Sequence, residues 1–181
     1  MRIFATALTA LALVGCDTLK ATSTVGVELD RGSKYNSWVA RHTPVKGRVI
    51  RWPTRNIGIN IKTEWAKQAV ALTTGTGLNF VLGKKGDITF RGYSTARDKV
   101  GWSNFYWDNK GRIYKCDVYL NPNYFPSNSK AEVFAHEAMH CAGLNEHTNK
   151  GLMSRHGGSK VLAETKGYFQ HLYSLPVGSR I

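Results

Sequence analysis

Acidic residues are scarce in this chain. Twelve Asp+Glu stand against twenty-five Lys+Arg, a formal charge of +13, which favours anionic partners or surfaces and leaves the fold class open. Cysteine is scarcer still, and three of them cannot form a disulfide scaffold. No apolar run reaches the roughly 18 residues needed to cross a bilayer, so a polytopic membrane protein is excluded. There is no internal repeat and no low-complexity tract. What the chain does have is 42% hydrophobic and 11% aromatic residues over 181 positions. That is enough for one domain with a sizeable core, and it excludes wholesale disorder.

Arg2 is the sole charge before Cys16, and the stretch from Ile3 to Val14 is apolar apart from Thr6 and Thr9. A short positive segment followed by such a stretch is the form of a secretory signal. Leu13-Val14-Gly15-Cys16 resembles the bacterial lipobox, which implies cleavage before Cys16 and a diacylglycerol on its thiol. The alternative is an ordinary export signal cut nearby, with Cys16 incidental. Each buried acyl methylene contributes about 0.8 kcal/mol, so several chains on one residue make a stable tether. Asp17 after the Cys resembles an inner-membrane retention signal. The expectation is an exported bacterial envelope protein, lipid-anchored at the periplasmic face of the inner membrane. Its basic surface suits anionic headgroups or serves plain solubility. The chain then divides into a lipoprotein signal peptide over 1–15, a mostly polar tether over 16–47 that docks on the domain, and a domain over 48–181.

Within that domain, Arg48 to Trp52 and Ile57 to Ile61 read as extended, the second alternating Ile57, Ile59 and Ile61 on one face. Thr63 is placed to cap a helix carrying Trp65, Ala69 and Leu72 at helical spacing, which Gly75 and Gly77 end. Asn79 to Leu82 and Asp87 to Arg91 read as short strands. Gly101 to Trp107 and Arg112 to Leu120 form a hairpin pattern around the turn signal Asp108-Asn109-Lys110-Gly111. A helix is predicted from Lys130 to Ala142, with Ser129 and Glu132 as a capping box and Gly143 as its stop. A last helix is predicted from Ser159 to Leu172. The order implies an α/β (α+β) domain with helices on a twisted mixed sheet.

The helix at Lys130 carries His136-Glu137-Ala138-Met139-His140. Residues four apart share a helix face, so both imidazoles can meet one metal ion. At about 100° per residue, Phe134, Ala138, Cys141 and Ala142 project to the opposite side, toward a core. Glu137 lies beside the histidine face, where its carboxylate can act as general base toward a zinc-activated water without ligating the metal.

Downstream come Gly143, Leu144, Asn145, Glu146 and His147, then Gly151-Leu152-Met153-Ser154. Together with His136, Glu137 and His140, this resembles the metzincin zinc peptidases, and among them the matrixins. The resemblance runs from about Arg55 through Tyr173, strong in the motif and loose elsewhere. It implies a metzincin-like sheet with an active-site helix and a C-terminal helix, a zinc ion, a third ligand after the Gly, and a Met-turn at Met153. One departure bears on the ligands. The family's third His falls three residues after the Gly, where this chain has Glu146, and His147 follows. Either His147 binds through a one-residue insertion or Glu146 supplies a carboxylate oxygen; zinc accepts both. The residue two after Met153 is Arg155, so a Tyr ligand there is absent. His156 is either close to the site or a solvated loop histidine.

The resemblance implies a zinc-dependent endopeptidase acting on protein or peptide substrates. With the lipobox-like segment at Cys16, the expectation is a lipid-anchored monomer with the membrane as a partner and no specific nucleic acid. An edge strand pairs with extended substrate in such enzymes, and Gly101 to Tyr106 corresponds by order. Trp102, Phe105 and Tyr106 there are either substrate contacts or sheet core. Cys116 lies mid-strand and Cys141 on the sheet side of the helix, so they form a bridge or remain buried free thiols. The rival functions are a non-catalytic zinc-stabilised envelope lipoprotein, a degenerate peptidase that binds a partner, and a cell-wall amidase.

Overall fold

A computed structural model describes residues 34–95, 97–124 and 129–181. The expected signal peptide over 1–15, and the lipidation and retention readings at Cys16 and Asp17, fall outside the described residues. Among these residues the chain order is helix α1 (Lys34–His42), strand β1 (Asn56–Ile59), helix α2 (Glu64–Leu72), strands β2 (Asn79–Leu82), β3 (Ile88–Tyr93), β4 (Gly101–Trp107) and β5 (Ile113–Leu120), then helices α3 (Lys130–Cys141) and α4 (Ala163–Leu172). The domain is mixed α/β, of the α+β kind.

The strands form one sheet in the order β2-β1-β3-β5-β4. Only the β4–β5 pair is antiparallel, as a short hairpin turn dictates. That turn is held by the Asp108 carboxylate, which accepts from the backbone N–H groups of Lys110 and Arg112. β4 therefore lies at a sheet edge. Gly101, Ser103 and Phe105 of β4 stand opposite Leu120, Val118 and Cys116 of β5, so these six share one face by strand alternation. That is the face α3 covers.

Between helices and sheet, Phe134 of α3 and Trp65 of α2 meet Phe90 of β3 edge to face, with ring centroids 5.4–6.1 Å apart. These rings, with Ile57, Ile59, Val118, Leu120, Ala138 and Met139, make the core. On the other face, Trp102 stacks on Tyr119 at 5.1 Å, and buried Asp117 is paired by Arg91 and Lys115. A disulfide joins Cys116 of β5 to Cys141 at the end of α3.

Several expectations need correction. Arg48 to Trp52 makes only isolated bridges, through Arg48 to Arg180 and Arg51 to Arg112. Ser129 occupies the N-cap of α3 but its side chain makes no capping bond, whereas Thr63 does accept from the Ala66 N–H. α4 starts at Ala163 rather than Ser159, because the Lys160 carbonyl is taken by the Leu152 N–H at 2.7 Å and the chain there stays extended. The segment read as a tether that docks on the domain carries helix α1, an element its lack of a sustained period does not foretell. From residue 34 that segment is docked, with Val39 buried and Trp38 packed edge-on against Tyr168 of α4.

Candidate metal centre

Helix α3 presents His136 and His140 one turn apart, with their Nε2 atoms 3.0 Å from each other. After Cys141 the chain must turn sharply to bring a third group back. Gly143 makes that turn at φ 109°, and a Cβ there would sit 2.6 Å from the Ile50 carbonyl oxygen, so only glycine fits. The loop that follows is pinned at two points. The Asn145 N–H donates to the His42 carbonyl of α1 (2.8 Å), and the Thr148 N–H donates to the Met153 carbonyl (2.8 Å). Between these anchors His147 comes back over the helix. Its ring centroid lies 5.0 Å from that of His136 and 4.9 Å from that of His140.

One ring nitrogen from each of His136, His140 and His147 lies within 4.8 Å of the others. The group could hold a metal ion. Glu146 does not join it; its charge acts on the imidazole of His42 instead. Met153 is buried in the core, and His156 is exposed at the rim of the cleft.

The tautomers suit a cation. His136 Nδ1 lies 2.7 Å from the Leu152 carbonyl and His140 Nδ1 lies 2.6 Å from the Leu144 carbonyl. A carbonyl oxygen can only accept, so both protons sit on Nδ1 and both Nε2 atoms turn lone pairs toward the common point. Two lone pairs 3.0 Å apart repel unless a positive charge lies near both. Burial keeps the His140 imidazole well below its ordinary pKa, helped by the neighbouring His136 and His147. Burial, then His136, Arg155 and Lys99, push His147 down to about 4. At neutral pH both are uncharged, each with one ring nitrogen free of a proton, as ligation requires.

Glu137 is 7% exposed, and its Oε2 accepts a hydrogen bond from the Ser103 hydroxyl of β4 at 2.8 Å. Burial raises its pKa, opposed by His136, by the Ser103 bond and by Lys99. It lies with the histidines in a cleft of about 540 Å³ bounded by the start of β4, helix α3 and the loop from Leu152 to Gly158. Of the β4 aromatics, Trp102 borders this cleft while stacked on Tyr119, Phe105 is core, and Tyr106 lies against Lys115.

Three further residues hold the site without entering it. The last carbonyls of a helix have no partner within it. Here Trp52 Nε1–H donates to the Cys141 carbonyl (2.8 Å), the Tyr173 hydroxyl to that of Ala142 (3.1 Å), and the Tyr168 hydroxyl to that of Gly143 (2.9 Å). These donors, and Ser103, escape a reading of the sequence. The available signal is general: a buried Tyr or Trp needs a partner for its polar end.

No protein-family model matches the chain, and no curated protein matches it.

Proposed function

We propose that the protein is a lipid-anchored zinc endopeptidase of metzincin-like design. The observation that carries this reading is the pairing of three converging imidazoles with a buried carboxylate beside them, all facing one open cleft. A purely structural metal site has no use for such a base. His136, His140 and His147 would hold zinc, and bound zinc supplies a Lewis acid that polarises a peptide carbonyl and makes water nucleophilic at neutral pH.

The remaining work falls to the chain's own groups. β4, at the sheet edge, would offer backbone groups to an extended substrate. Glu137 takes the proton of the attacking water and passes it to the leaving amine nitrogen. Its raised proton affinity suits the carrying of that proton between the two steps. Ser103, bonded to Oε2, fixes which way the carboxyl faces.

Digestion of an unfolded protein by the zinc-loaded chain, with and without chelator, tests this. Cleavage should vanish with chelator and return with zinc. Glu137→Ala should abolish cleavage while zinc per chain is unchanged, and retained turnover in that variant would remove the assigned base.

A further inference from the structure

Two cations border the cleft from separate segments. Lys99 is half-buried just before β4, and Arg155 is exposed on the loop after Met153. Gly101 lets β4 press against α3, since a Cβ there would lie 2.6 Å from Val133 Cγ1. The charge of Lys99 reaches Glu137, His140 and His147, and that of Arg155 reaches His147. Both cations line the cleft that holds the three histidines and Glu137. Among the described residues, neither is in an ion pair. Asp98, next to Lys99 in the chain, takes the hydroxyl of Tyr124. The acids bordering the cleft, Glu132 and Glu137, equal the two cations in number, but Glu137 is buried against Ser103, so Lys99, Arg155 and Glu132 are the charges presented toward solvent.

We propose that the cleft selects acidic peptides, with Lys99 and Arg155 as specificity-determining residues that pair with substrate carboxylates near the scissile bond. The inference rests on the peptidase reading and adds the substrate class. A peptide carboxylate entering the cleft meets half-buried Lys99 and exposed Arg155, both of which attract it. A basic side chain meets repulsion from the same two groups.

The test uses the full chain, zinc-loaded, as Glu137→Gln so that no probe is consumed. The probes are short capped peptides of one scaffold carrying Glu, Gln or Lys at each position in turn. Glu in place of Gln should tighten binding about fivefold at the favoured positions, the fold-change of one well-placed exposed ion pair. The preference should fade in about 1 M salt. Lys99→Glu and Arg155→Glu should each reverse it at their own position, with zinc content unchanged. Equal binding of Glu and Gln peptides, binding of none, or a preference that survives both reversals would overturn the inference. Wild-type protein that binds the Glu peptides yet cuts none would defeat the peptidase reading and leave the charge selection standing.

Discussion

The bridge between Cys116 and Cys141 ties the end of the ligand helix to the centre of the sheet. Its two cysteines are separated by 25 positions. On the chain-entropy estimate, closing a loop of that length removes about 12 cal/mol/K from the unfolded chain, or about 3.5 kcal/mol at 25 °C. With a urea slope of about 2 kcal/mol/M for a domain of this size, that is a midpoint shift of about 1.5–2 M. The assay is urea unfolding of the metal-free protein, followed by fluorescence of its tryptophans, with and without a phosphine reductant that does not ligate zinc. Both cysteines are fully buried, so reduction requires unfolding and each sample must be equilibrated from the denatured side. The Cys116→Ala, Cys141→Ala double variant should unfold at least as early as the reduced protein, because the lost sulfurs add a packing penalty of about 1 kcal/mol. Since Cys141 directly follows His140, zinc should also bind more weakly to that variant. A midpoint unmoved by reductant would refute the bridge as a stabilising cross-link.

Other outcomes are equally specific. His140→Ala should lose both zinc and proteolysis, whereas Glu146→Ala should keep both; zinc per chain after dialysis separates them. Tyr168→Phe leaves the buried Gly143 carbonyl without its donor, and unfolding curves should register a loss of about 1–3 kcal/mol. Burial raises the pKa of Tyr168 and Tyr173 above the ordinary 10.0. A raised folded pKa means their contribution is complete below about pH 10 and declines as pH rises further, when the unfolded chain ionises first. Stability measured from pH 9 to 12 should therefore fall, and fall less steeply in Tyr168→Phe.

The helix ending at Cys141, the hairpin around Asp108 and the strands β1, β2 and β3 were legible because local period and turn residues agree there. The histidine pair was legible for the same reason, since helical spacing alone puts His136 and His140 on one face. The third position was not. Glu146 and His147 are both chemically suitable, and what decides between them is tertiary: the Asn145 bond to His42 and the Thr148 bond to Met153 fix the rotation of the loop. Helix α1 was illegible because Trp38 and Val39 are too few apolar positions to define a period, and the element is held by docking on α4. The aromatic donors to the end of α3 come from segments 89, 25 and 31 positions away, contacts no local pattern encodes.

Zinc K-edge absorption on the zinc-loaded full chain tests the metal centre most directly. The expected shell is three imidazole nitrogens at about 2.0–2.1 Å and one further light atom from solvent. Sulfur in the shell, fewer than three imidazoles, or a protein that retains no zinc through dialysis would contradict the proposed site.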